Sequence, residues 1–68
     1  MKEIIFLIEE APEGGFIAKA LGESIFTEGE TLEEVKSNIK EAIECHFEET
    51  ELPKLIRLHI VKDELMTL

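Results

Sequence analysis

Tryptophan and tyrosine are absent from this chain of 68 residues, which has a single cysteine, Cys45, and two prolines. One cysteine excludes an internal disulfide, and a lone thiol is typical of a reducing compartment. A chain of this length forms one domain, residues 1–68, with a thin core. Domains this small often gain stability from disulfides, a metal or self-association. Because the chain also lacks a metal-binding motif, we expect a homo-oligomer, a dimer or larger.

Cationic residues are scarce. Seven Lys and Arg stand against sixteen Asp and Glu, which gives a net charge of −9. Phosphate contacts need clustered cations, so we predict no direct binding to nucleic acid or to an anionic membrane. The acidic charge favours a basic protein partner, although solubility alone is a sufficient reason for it.

Long apolar runs are also missing. The run near the N-terminus, Ile4–Ile8, has five residues. The apolar region of a signal peptide needs roughly 7–15 residues, and a membrane-spanning helix needs about 20. We therefore expect a cytoplasmic protein with no signal peptide and no membrane contact.

Motifs for catalysis or metal binding are lacking as well. The soft or imidazole ligands are Cys45, His46 and His59, and no CxxC, HxxH or HxxxH spacing joins them. No serine lies in a nucleophile elbow, and no glycine-rich loop has the spacing of a phosphate site. We therefore predict no catalytic residues, no cofactor and no metal.

Short apolar segments separated by glycines predict strands. Ile4–Ile8 is β-branched and aromatic without alternation, which predicts a strand covered on one face by a helix and on the other by a subunit or partner. The turn at 11–15 predicts a hairpin into a second strand at 16–21, and a third follows at 24–27. Alternation from 55 to 61 predicts a last strand with one wet face. Its inward residues would be Ile56, Leu58 and Ile60, and its outward residues Arg57 and His59.

One helix separates the third strand from the last. Thr31 and Glu34 match a capping box, and the helix is predicted from Leu32 to about residue 49. We expect His46 to be a partly buried structural residue beside the apolar stripe. The apolar stripe at spacings of three and four consists of Leu32, Val35, Ile39, Ala42, Ile43, His46 and Phe47. The predicted fold class is α+β, in the order β-β-β-α-β, with an antiparallel-rich sheet and one helix on one face.

Two kinds of surface follow from this arrangement. For a protein partner we single out the sheet face opposite the helix and the acidic flank of the helix. The candidate partner-binding residues are Lys19, Arg57, His59, Glu33 and Glu41. For self-association we single out the first strand and the C-terminal segment, with candidate interface residues Ile5, Leu7, Leu65 and Met66.

Three segments in a fixed order resemble a known family. They are EGGFIA at 13–18, TEGETLEEV at 27–35 and NIKEAIE at 38–44. Together they resemble the HicB-like antitoxin domain, which repeats a GG[YF]xA hairpin, a capped TLEE helix start and an acidic mid-helix segment. The resemblance covers about residues 3–49. It implies a partial ribonuclease-H-like fold without the catalytic acids.

The resemblance also implies a function. Members of that family neutralise a small basic toxin that cleaves mRNA, and many carry a C-terminal DNA-binding segment. Here the proline-containing loop usual after the second strand is reduced to LGES at 21–24, and no DNA-binding segment follows the last strand. We therefore expect a short stand-alone form that does not bind an operator.

Three functions stay open from the sequence. The first is a non-catalytic interaction module resembling a HicB-type antitoxin for a small basic mRNA-cleaving toxin. The second is an orphan homo-oligomer of the same fold, of unknown role and with no toxin partner. The third, a small enzyme of ribonuclease-H-like ancestry, would need several inward carboxylates around Mg²⁺. Because the only aspartate, Asp63, lies in the tail, the sequence disfavours the enzyme.

Overall fold

A computed structural model describes residues 3–68 of the chain and confirms the predicted α+β class and element order. The predicted second and third strands, 16–21 and 24–27, are observed at Phe16–Ala20 and Phe26–Gly29. The elements are strands β1 (Glu3–Glu10), β2 (Phe16–Ala20) and β3 (Phe26–Gly29), helix α1 (Leu32–His46), a short 3₁₀ turn (Glu49–Glu51) and strand β4 (Leu55–Val61).

The four strands form one mixed sheet in the order β3-β2-β1-β4. β1 pairs with β2 and β2 with β3 in antiparallel fashion, whereas β1 and β4 are parallel. Because β3 and β4 lie at opposite edges of the sheet, the chain must cross the sheet between them. Helix α1 and the 3₁₀ turn make that crossing.

The core lies between α1 and one face of the sheet. Alternate residues of β1 point into it, because successive side chains of a strand face opposite sides. Phe6, Ile8, Val35 and Ile39 are the largest fully buried side chains. The other buried residues are Ile4, Ala18, Ala20, Ile25 and Ile43. The alanines of β2 leave room for the helix to approach the sheet.

The start of α1 is fixed by several contacts at the end of β3. A Cβ added to Gly29 would lie 2.9 Å from the backbone nitrogen of Val35, so only glycine allows the strand to approach the helix this closely. Gly15, at φ +78°, lies so close that an added Cβ would be 2.8 Å from the carbonyl oxygen of Gly29. The amide of Asn38 donates to the Glu28 carbonyl at 2.7 Å. This β3–α1 junction therefore positions the helix on the sheet.

The N-cap half of the predicted capping box, the bond to the Thr31 hydroxyl, is confirmed at the same place. The backbone N–H of Glu34 donates to the Thr31 hydroxyl oxygen at 3.1 Å, as an N-cap requires. The other end of the helix differs from the prediction. α1 ends at His46, because Phe47 takes an extended conformation and packs its ring against the core. Continuing the helix would also bring Glu48 and Glu49 to its negative end.

Two predictions of burial are wrong. His46 is exposed, because the helix ends there and its ring stands at the surface beside Phe47. In β4, Ile56 and Ile60 are 37% and 45% exposed although they point to the helix side of the sheet. The helix lies over β2 and β3, so it does not cover β4. β4 is therefore exposed to solvent on both faces.

One ion pair joins β4 to β1. The Arg57 guanidinium donates to both carboxylate oxygens of Glu3, at 2.8 Å and 3.3 Å. Hydrogen bonding to Arg57, reinforced by the charge of the guanidinium, lowers the pKa of Glu3 below its ordinary value. The pair lies on the solvent side of the sheet, opposite the helix.

We predict that Gly29→Ala destabilises the fold without changing its class. The new Cβ would press on the backbone of Val35, which cannot move away as a flexible side chain could. Overpacking of this kind costs about 1–3 kcal/mol in the free energy of unfolding, measured by urea denaturation.

The matched control is Gly22→Ala. Gly22 lies in the turn between β2 and β3, at φ +88°, and an added Cβ there would meet nothing within 4 Å. Its cost is conformational only, about 1 kcal/mol. Equal stability of Gly29→Ala and the unaltered chain would contradict the role given to the β3–α1 junction.

We also predict the pH dependence of the Glu3–Arg57 pair. Because the folded pKa of Glu3 lies below the unfolded value of about 4.3, the pair stabilises the fold fully above that pH. The contribution is lost as the pH falls through the folded pKa. In Arg57→Gln, the pKa of Glu3 measured by carboxyl ¹³C NMR titration should rise towards its ordinary value. Lys19→Gln is the control, and an unchanged Glu3 pKa in Arg57→Gln would exclude the pair in solution.

Candidate protein-binding surface

The sheet face opposite α1, here called the open face, has no element of the described chain covering it. Its members follow from strand alternation and from the pairing of the strands. One row across the sheet runs through Phe26, Lys19, Leu7 and His59, and the neighbouring row through Glu28, Ile17, Glu9 and Val61. Towards the start of β4 the face continues with Ile5, Arg57, Glu3 and Leu55.

Apolar side chains form the middle of the open face. Ile5, Leu7 and Ile17 are half-buried by their neighbours on the sheet. Phe26 is 64% exposed at the β3 end of the face and Leu55 is 62% exposed at the β4 end. A shallow hollow of about 130 Å³ lies between β1, β2 and β3. It is lined by Leu7, Glu9, Ile17, Ala18, Lys19 and Phe26.

Lys19, Arg57 and His59, which were predicted to bind a partner on this face, are all exposed but have different neighbours. Lys19 and His59 flank Leu7 in the same row, so their backbones are about 10 Å apart. Arg57 lies one row away and is held by Glu3. The open face therefore has an apolar middle with basic and acidic groups interspersed around it.

The predicted acidic residues of the helix lie on a separate surface. Glu33 and Glu41 are exposed on α1, about 12 Å apart along its axis. The sheet and the core separate them from Lys19, Arg57 and His59. One small partner would have to wrap around the domain to contact both groups.

The predicted oligomer residues are also divided between two places. Ile5 and Leu7 lie on the open face, where they are half-buried. Leu65 and Met66 lie in the segment after β4, where they are 99% and 85% exposed. Only the second pair is therefore almost fully exposed.

Sequence reasoning missed Phe26 as a surface residue. Ile25 and Phe26 are adjacent and both apolar, so the sequence alone did not settle which one points inwards. Ile25 is buried and Phe26 faces out. The signal that could have identified Phe26 is its register opposite Lys19, because Lys19 is on the open face and residues directly opposite in paired strands share a face.

The rest of the described surface offers little chemistry. Among residues 3–68, no three His, Cys, Asp or Glu side chains converge as a metal site would require. Cys45 is exposed, and His46 lies 3.4 Å from a carboxylate oxygen of Glu23. No helix in this part of the chain is long and apolar enough to cross a membrane.

Comparison with known proteins identifies relatives without describing their activity. No protein-family model matches the chain, and no solved structure matches it. A UPF0150 protein of Archaeoglobus fulgidus is 58% identical over 52 residues, which cover 76% of this chain and 77% of the relative. A UPF0150 protein of Thermotoga maritima is 47% identical over 62 residues, which cover 91% and 87% of the two chains. At these identities and coverages, the chain belongs to the UPF0150 family.

Proposed function

We propose that this protein is a non-catalytic protein-binding module of the HicB antitoxin type, which neutralises a small basic mRNA-cleaving toxin in the cytoplasm. The observation that carries the proposal is the open face. It combines half-buried aliphatic residues with an exposed aromatic, Phe26, at the edge of a shallow hollow. Uncovered apolar surfaces rimmed by polar groups mark protein interaction sites, and aromatic residues often provide their strongest contacts.

The charge of the chain supports a basic partner. At −9, the protein attracts a cationic protein and speeds its encounter. A toxin that binds RNA needs a basic surface, and an acidic partner can mask it. The resemblance of residues 3–49 to HicB-like antitoxins supplies the identity of this partner class.

A second candidate is an orphan oligomer of the same fold without a toxin. The observation that favours it is the position of Ile5 and Leu7, which two stacked open faces would bury. Ile4, Phe6 and Ile8 already lie under α1, so only the outward half of this run is available to a second copy.

The first test is co-purification. Tagged protein isolated from its own cell lysate should bring down a small basic protein in stoichiometric amount, identified by mass spectrometry. That protein should cleave mRNA, and the present chain should inhibit the cleavage. Phe26→Ser should weaken the complex at least about 30-fold, since the aromatic anchor of the open face is lost.

The matched variant is Glu33→Lys with Glu41→Lys, which reverses charge on the helix and leaves the open face intact. If this variant bound more weakly and the open-face variant bound normally, the toxin-binding site would be assigned to the helix instead. Recovery of the chain alone would overturn the antitoxin and favour the orphan oligomer.

A further inference from the structure

Strand β4 has an unpaired outer edge. It is the last strand of the sheet, and no described residue pairs with its outer side. Five of its seven residues are aliphatic, and Ile56 and Ile60 are exposed on the helix side. A long aliphatic edge of this kind is a template for pairing with another chain, and proteins normally cover or blunt it.

A groove runs beside this edge because α1 does not reach β4. Two adjoining hollows of about 210 Å³ and 250 Å³ share Lys40 and Ile56. The hollow nearer the middle of β4 also contains Ile39 and Leu58. The hollow nearer the start of β4 is completed by Ile43, Glu44, Leu52 and Pro53. The groove is therefore apolar along its floor.

The segment after β4, residues 62–68, is the natural candidate to fill such a groove. It belongs to no helix or strand, and the molecule is 53 Å long against 19 Å and 18 Å in the other directions. Leu65 and Met66 are almost fully exposed, and so is Leu68. No glycine or proline follows Pro53 to help the segment turn back on its own domain.

We propose that a second copy of this chain occupies the β4 edge and the groove. Two β4 strands would pair antiparallel about a two-fold axis near Leu58, which sets Ile56 opposite Ile60 of the second copy. In an antiparallel pairing centred there, the segment that follows Val61 in one copy passes the start of β4 in the other. That path leads over Leu52 and Pro53, so Leu65 and Met66 of each copy fill the groove of its partner.

Charge complementarity supports a second copy as the occupant. Although the chain is strongly acidic, residues 53–62 contain no Asp or Glu. Lys36 and Lys40 line the hollow nearer the middle of β4, and Lys40 and Glu44 line the hollow nearer its start. The segment that enters the groove carries Asp63 and Glu64. At each end of the pairing, Lys54 of one copy lies opposite Lys62 of the other. Asp63 and Glu64 follow Lys62 and lie beside this pair of lysines.

The symmetry and size also fit. Each copy contributes one tail and one groove, so the contact closes as a dimer and leaves no β4 edge unpaired, with β3 at both ends of the combined sheet. Strand, tail and groove supply about 20 residues a side, the extent of a stable protein interface. The open face takes no part, so this dimer is independent of the function proposed above.

The test is the mass in solution of the full chain, measured by analytical ultracentrifugation over a concentration series. The unaltered protein should sediment at twice its chain mass of 7.7 kDa. Leu65→Ser with Met66→Ser should raise the dimer dissociation constant at least about 10-fold, because apolar side chains leave the interface. Ile60→Lys should sediment as a monomer. Phe26→Ser, which alters only the open face, should leave the dimer unchanged.

The tail variant keeps its fold because both residues are exposed, and circular dichroism verifies this. Mixed dimers with one isotope-labelled copy should show contacts from the Met66 methyl of one copy to Leu52 of the other. A monomeric unaltered chain would overturn the proposal, as would a dimer unaffected by the tail variant. Contacts of Met66 with Leu52 within one copy would show instead that the tail folds back on its own domain.

Discussion

The close approach of β3 to the first turn of α1 is the constraint on which the rest of this structure depends. Gly29 lies against the backbone at Val35, and Gly15 of the β1–β2 hairpin lies against Gly29. These contacts leave no space for a side chain at either position. The N-cap at Thr31 and the bond from Asn38 to Glu28 then hold the helix at one edge of the sheet.

The exposed surfaces follow from that placement. A single helix fixed near β3 covers β2 and the inward side of β1 but cannot also cover β4, which lies at the far edge. The core is therefore built from one half of β1 and from small residues of β2, and β4 is held mainly by its pairing with β1. What remains uncovered includes the aliphatic residues of β4 on the helix side and the apolar middle of the open face. Burying apolar area is the dominant stabilising term in folding and in most association, so these surfaces have most to gain from a partner.

Much of the fold could be predicted from the sequence because its signals are local. A capping threonine, a glycine pair and a strand of alternating residues each specify their own structure within a few positions. The position of the helix relative to β4 is different, since it depends on contacts between distant segments. Alternation correctly places Ile56 and Ile60 on the helix side, yet it cannot tell whether a helix lies above them. The same reason explains His46, whose exposure depends on the turn that Phe47 makes towards the core.

The candidate site was less predictable than the fold. Lys19, Arg57 and His59 are indeed on one face, because strand alternation is reliable in β2 and β4. However, Arg57 is already engaged by Glu3, which follows from the parallel register of β1 and β4. That register joins residues 54 positions apart, and no local pattern reveals it. Phe26 was missed because its orientation depends on the register of the β2–β3 hairpin, which the two adjacent apolar residues Ile25 and Phe26 do not specify.

The residues that carry the resemblance to HicB-like antitoxins are largely those that hold the β3–α1 junction. Gly15, Gly29, Thr31 and Asn38 each have a steric or hydrogen-bonding role within the fold. Any protein with this architecture would need these residues, whatever it binds. In the function and the dimer proposed above, the choice of partner would depend instead on residues that the architecture leaves free. Phe26 on the open face and the tail after β4 are such residues, because neither contributes to the core. A change of partner within this fold would therefore alter these surfaces and leave the junction intact.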